Sequence, residues 1–343
     1  MKVLALTRAP GSACEYYRGI GILSKIPGVE IRIAEEVNWT VLSQVDLLFA
    51  ERPCSESDRE IVQMARDFGV PVWVEVDDDF FSVPGYNPAR NHFWKEDVQQ
   101  RHAECLAMAD IVTVTTEHLR GQLLDFNKNI RVVPNAFNDY HWKWEFKPGT
   151  KNLVAWRGSA THRNDIRRYL DSMATVQKLN NLKDQGWVFV GNDLWYVEER
   201  LMPKVTRFID ELPTTVYWKA IKSFGAKFWH VPLLDNKFNR SKSNISWIEA
   251  TYAGAVCLCP DLDEWRNPGA ILYEPENEEG LTPPMAYPGK AKAFEAAFTA
   301  MLEMSDSERE DALRQSFEYI ADNLLLSKVN EKRKEILEGL CAS

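Results

Sequence analysis

The sequence predicts an α/β protein made of two parallel-sheet domains that face each other across a cleft. Three observations lead there. The chain has 343 residues, and roughly 150 residues make one domain. Short, continuously apolar runs alternate with amphipathic helical segments along most of its length, the pattern of parallel strands buried on both faces. That alternation is interrupted once, near the middle, by an aromatic and polar stretch holding Pro148-Gly149.

Taken in order, Val3–Leu6 is the first strand, closed by the turn signal Arg8-Ala9-Pro10-Gly11-Ser12. A helix is expected over Glu15–Leu23, with strands over Val29–Ala34 and Val45–Ala50. Ser57–Phe68 places Ile61, Met64, Ala65 and Phe68 on one helical face. Val70–Val76 is a strand ending at Asp77-Asp78-Asp79. A helix over Val98–Met108, a strand over Ile111–Val114, a helix over Glu117–Phe126 and a strand over Ile130–Val133 complete the first series. The interruption over Asn138–Thr150 reads as the linker, where the tryptophans between 142 and 156 would pack the domains together. The second series has strands at Leu153–Trp156, Trp187–Val190, Val205–Ile209, Phe228–Val231 and Ala255–Cys259. Its helices are Arg163–Leu179, Asn244–Tyr252, Lys290–Met304 and Ser307–Asn323. The expected division is 1–145, 146–323 and a terminal helix within 324–343.

Composition narrows the class. With 45% apolar and 27% charged residues the chain is an ordinary globular one. At this length it buries about 75% of its unfolded surface and needs no disulfide or metal to fold. A formal net charge of -9 speaks against bulk electrostatic binding of nucleic acid, leaving only a local basic cleft. Six scattered cysteines without a C-x-x-C pair fit a reduced, cytoplasmic protein. The first apolar run is four residues long, too short for a signal peptide, and no run approaches a spanning helix. Twelve tryptophans serve either as core fillers or as surfaces for sugars, bases or partners.

In open parallel sheets, ligands bind beyond the carboxyl ends of the strands. The residues there are Gly11-Ser12, the Asp77–Asp79 run, Arg157-Gly158-Ser159 followed by His162 and Arg163, Gly191-Asn192, Asp235, and Asn239–Ser243. Arg157, Arg163 and Lys242 gather cations at strand ends and helix starts, where free N–H groups also favour an anion. A diphosphate fits; a solvated basic surface is the alternative, and Ser243 also serves as a helix N-cap. Glu249 lies within an otherwise apolar helix and needs a partner, either a ligand diol or an arginine. If its strand continues, Asp77 and Asp79 share one face, and a carboxylate reaches the cleft to take a proton, orient a hydroxyl or hold a metal. The alternatives are a capping cluster or an ion pair with Arg18 or Arg90. Tyr17 and Arg18 either line the acceptor side or pack on the sheet.

The run Phe228–Pro260 resembles the nucleotide-binding segment of GT-B glycosyltransferases of the family-4 type (glycosyl transferases group 1), with a phage-like member among the readings. Glu249 matches the second of two glutamates eight residues apart, and Ala250 to Gly254-Ala-Val256 follows in register. Ser241 stands at the first, so Asp235 or backbone amides near Lys242 would take over that contact with the donor sugar. Arg157 and Arg163 have the spacing of the pair that holds the diphosphate, Asn135 matches an interdomain Pro-Asn element, and Gly11 resembles the glycine loop. The resemblance implies a GT-B fold and a metal-independent, retaining transfer of a hexosyl or pentosyl group from a nucleotide-diphosphate sugar, UDP slightly favoured.

On that basis Gly11, Arg157, Arg163, Asn192, Lys242, Ser243 and Glu249 are the expected donor contacts, with Glu249 on the ribose. Asp77 and Asp78 are the expected catalytic pair, and Tyr17 and Arg18 the acceptor side. No resident cofactor or metal is expected, and no integral membrane association. The acceptor stays open among small molecules, proteins and modified nucleic-acid bases. The alternative function is a nucleotide or nucleotide-sugar binding protein without turnover. A dinucleotide oxidoreductase is set aside because Pro10-Gly11-Ser12 stands where G-x-G-x-x-G would be needed.

Overall fold

The computed structural model describes residues 1–6, 12–34, 36–179, 186–191, 201, 205–277 and 291–341. The first sheet comprises β1 (Lys2–Leu6), β2 (Glu30–Arg32), β3 (Leu47–Glu51), β4 (Val72–Val76), β5 (Ile111–Val114) and β6 (Ile130–Val132). They run parallel in the order β2-β1-β3-β4-β5-β6. The second comprises β7 (Lys151–Arg157), β8 (Gly186–Val190), β9 (Val205–Ile209), β10 (Ala226–His230), β11 (Val256–Pro260) and β12 (Ile271–Tyr273). These are parallel too, in the order β12-β11-β10-β7-β8-β9.

Strand periodicity divides each sheet between two cores. In the first, Leu48, Val74 and Val112 face the helices Glu56–Phe68 and Glu96–Met108, while Phe49, Trp73 and Ile111 face the opposite side. In the second, Val188, Trp229 and Cys257 meet the helices Thr214–Phe224 and Ile245–Ala253. Trp187, Phe228 and Val256 meet the helices Arg163–Leu179 and Lys292–Leu302. Trp73, Trp187, Trp218, Trp229 and Trp247 are fully buried, so these tryptophans are core fillers. All six cysteines are free thiols, and among the described residues no helix is long and apolar enough to cross a membrane.

Several elements differ from the sequence expectation for identifiable reasons. The helix expected over Glu15–Leu23 is broken into Ala13–Arg18 and Ile20–Leu23. Gly19 sits at the break, where a Cβ would come within 2.7 Å of the Glu51 carboxylate at the end of β3. The helix Thr214–Phe224 and the three-residue edge strand β12 were not anticipated. Ser243 is not a cap: Asn244 occupies that position and makes no side-chain cap bond.

The chain crosses between domains beside Phe137. Phe137 N donates to Leu324 O, and Leu326 N donates to Phe137 O. Around this crossing Phe137 packs on Trp144, Trp218 and Tyr252 with ring centroids 4.6, 5.1 and 4.9 Å away. Trp156 does not belong to this joint; it lies in β7 against Phe189. The final helix, Leu326–Cys341, then lays Leu326, Val329, Ile336 and Leu337 on the first sheet's core beside Ile22 and Leu23. Leu337→Ala should therefore lower stability by about 2–5 kcal/mol, the usual cost of emptying a buried leucine site, read by urea unfolding.

Candidate functional site

In each sheet the strand order reverses beside its first strand, between β1 and β3 and between β7 and β10. Such reversals leave a crevice at the strands' carboxyl ends. The two crevices face each other and form one cavity of about 350 Å³, within the range that holds a small ligand. Cys14, Asp77 and Asp78 line it from the first domain, and Arg157, His162, Lys242 and Glu249 from the second.

At its centre is Glu249, 1% exposed on the helix Ile245–Ala253. Oε2 accepts from Arg157 Nε at 2.6 Å and from Tyr217 Oη at 3.0 Å. Oε1 accepts from Arg157 Nη2 at 3.1 Å and from Tyr17 Oη at 3.0 Å. A carboxylate offers about four acceptor positions, and four donors occupy them. Arg157 is thus the partner that Glu249 required, and a ribose hydroxyl that reached this carboxylate would share it with these donors or displace one of them. Burial opposes the charge on Arg157, but the adjacent carboxylate outweighs it and holds the guanidinium above its ordinary pKa. Burial, reinforced by the Glu249 charge, raises both Tyr17 and Tyr217, which stay protonated donors.

The first domain's wall is ionic. β4 ends at Val76 and the backbone turns, so Asp77 and Asp79 do not share a face toward the cleft. Asp79 is buried and accepts from Phe81 N at 3.1 Å, while Asp77 and Asp78 line the cavity. Asp77 lies 3.7 Å from Arg52, and Asp78 lies 3.3 Å from Lys242 across the domains. Arg52 carries a left-handed φ of 49°, a strain that persists only where surrounding contacts hold it. The Asp77 charge and then burial push the Cys14 thiol well above its ordinary range, so it is a poor nucleophile.

Arg18 borders the cavity from the first domain, and its side chain is held in protein contacts. It is 1% exposed, paired with Glu75 at 2.6 Å and donating to Val133 O at 2.7 Å. It also donates to Asn135 Oδ1 at 3.3 Å, and Asn135 Nδ2 reaches Ser243 Oγ at 2.6 Å in the other domain. Ser243 is therefore committed to this interdomain bridge as well as lining the cavity. Arg163 opens the helix Arg163–Leu179 but does not line the cavity, whereas its neighbours Thr161 and His162 do. Gly191 adopts φ 142° with its α-carbon pressed toward Gly158 O, a place that no Cβ fits. Gly11 and Asn192 lie outside the described residues.

Strand orders, paired crevices and the returning terminal helix together define the architecture. The chain has the GT-B fold. Structures similar to this GT-B chain include HepE of Anabaena in complex with UDP and glucose, at 10% identity and a TM-score of 0.65, covering 99% of this chain and 100% of that one. The E. coli trehalose-6-phosphate protein bound with UDP-2-fluoro glucose is similar at 11% identity and a TM-score of 0.62, covering 99% and 98%. A glycosyltransferase from Rickettsia africae is similar at 11% identity and a TM-score of 0.60, covering 99% and 98%. No protein-family model and no curated protein matches the chain by sequence. At such identities the likeness is one of fold.

Tyr217 and Cys14 also line the GT-B cleft and Arg52 stands behind it against Asp77, and none of the three was singled out from sequence. Tyr217 was recoverable: Tyr217, Trp218, Ile221 and Phe224 follow helical spacing between Pro213 and the αL residue Gly225. Replacing Glu249 by Ala should cost about 3 kcal/mol, the low end for breaking a buried pair, because Arg157 keeps 26% exposure. Tyr17→Phe should cost about 1.5–3 kcal/mol, as for a hydrogen bond to a charged group. Denaturant unfolding of both variants measures these losses.

Proposed function

We propose that the protein is a glycosyltransferase that transfers a sugar from a nucleotide-diphosphate donor, UDP-linked by preference, with retention. The observation that carries this reading is the facing of Lys242 and Arg157, at the β7/β10 crevice, against Asp77 and Asp78 across one cavity. Cations at a strand end favour a diphosphate, and the carboxylates opposite suit a hydroxyl acceptor. HepE, similar in fold, holds UDP and glucose.

In this reading the first domain serves the acceptor and the second the donor. The C1–O bond to the diphosphate breaks, its electron pair remains on the diphosphate, and Lys242 and Arg157 stabilise the charge that develops there. The acceptor oxygen bonds to C1 as its proton passes to Asp78. Lys242 and Asp78 are 3.3 Å apart, and this closeness supports a reaction in which leaving group and acceptor use one face of the sugar, that is, retention. Glu249 acts through Arg157, Tyr17 and Tyr217 as a positioning residue. Asp77, facing Arg52, holds the same wall.

A thermal-shift screen with UDP-, GDP- and ADP-sugars tests the donor site. A ligand at 100 times its dissociation constant adds about 2.7 kcal/mol, a shift of a few degrees. No shift with any of them overturns the donor reading. Among variants, Lys242→Ala should lower turnover about a hundredfold, as loss of one charge-stabilising donor does. Asp78→Asn should abolish transfer while keeping the melting shift. Binding without transfer or donor hydrolysis by the wild type would instead establish a non-catalytic nucleotide-sugar binder.

A further inference from the structure

His162 occupies the turn Ala160–His162 between β7 and the helix Arg163–Leu179. Asp165, one turn into that helix and fully buried, has its Oδ1 fixed by Leu234 N at 3.1 Å and Asn239 Nδ2 at 2.8 Å. Its Oδ2 is thereby aimed at His162 Nδ1, 3.2 Å away. An imidazole held by a carboxylate through Nδ1–H presents Nε2 on its other side. His162 is 21% exposed and lines the cavity, and Nε2 has no protein partner among the described residues.

The charges around this ring are mixed. Asp165 favours the imidazolium, whereas Lys242 and Arg157 face it and oppose a further positive charge. Lys242 is itself partnered by Asp78, and Arg157 by Glu249. Arg163 follows directly in the chain, and the helix N-terminus adds partial positive charge. Burial is the largest influence and lowers the His162 pKa from its ordinary value. Without an anion the ring is neutral at neutral pH. A diphosphate beside Lys242 and Arg157 would cancel their opposition and place acceptor oxygens before Nε2.

Resting on the nucleotide-sugar reading, we propose that His162, oriented by Asp165, takes up one proton when the donor binds and joins Lys242 in holding the diphosphate. Donor affinity is then pH-dependent. The sign follows from linkage: the ligand prefers the protonated ring, so its affinity is full below the free-state pKa. It falls by up to about tenfold per pH unit between the free and bound pKa values, then levels above the latter.

The test is calorimetric titration of the full chain with UDP-glucose, GDP-mannose and ADP-glucose between pH 5.5 and 8.5. A doubly esterified diphosphate does not itself titrate in that range. Heats are compared in buffers of different ionisation enthalpy to count protons. The expected result is weaker binding as pH rises, with uptake approaching one proton in the steep window. His162→Gln should bind more weakly with no uptake. His162→Lys should restore affinity and bind without pH dependence. Donor binding by the wild type with zero uptake, or uptake that persists in His162→Gln, overturns the proposal while leaving the donor reading intact. No binding of any of the three sugars overturns the donor reading and this proposal with it.

Discussion

The Glu249–Arg157 pair is the constraint around which the cleft is arranged. A carboxylate on an otherwise apolar, fully buried helix is unfavourable unless its charge and its lone pairs are met. Here the requirement is met from three separate elements: the end of β7, the helix Thr214–Phe224, and the helix Ala13–Arg18 of the other domain. Satisfying one side chain therefore orders a strand end, a helix and the approach of the two domains at once.

Around that pair the interface divides by chemistry. Its interior is an aromatic joint in which the rings of Phe137, Trp144, Trp218 and Tyr252 contact one another. Its mouth is polar, with Thr116 Oγ1 on Ser241 O, Asn236 Nδ2 on Tyr86 Oη and Asn135 on Ser243. The joint supplies non-directional burial. The polar mouth supplies register, since each bond is met at one relative placement. Lys242 and Asp78 carry full charges and remain partly exposed, at 15% and 30%. Their attraction is weakened by solvent, which leaves Lys242 exchangeable where Arg157 is not.

Much of the fold was legible. β5 and β9 have the boundaries read from the chain, because apolar runs between turn residues admit little else. The helix Arg163–Leu179 was equally clear from its length and periodicity. Short or marginal features were not legible: β12, whose three residues include the exposed Leu272, and the split at Gly19, where a glutamate 32 positions away leaves no room for a Cβ. The site was legible as a set of strand ends. Asp77, Asp78, Arg157, Lys242 and Glu249 do meet in one cavity, with Arg18 buried at its wall, while Arg163 lies outside the lining.

Sequence alone determined the layered α/β plan, the two-domain division into similar halves and the residue types at the strand ends, because periodicity and turn chemistry are local. Tertiary structure decided which charge meets which. Arg157 turned to Glu249, Arg18 to Glu75, and His162 rather than its neighbour Arg163 faced the cavity. Those choices depend on side-chain direction at strand ends and helix starts and on how closely two sheets approach. Neither quantity is carried by residue spacing, and both follow only once the cores on either side of each sheet have packed.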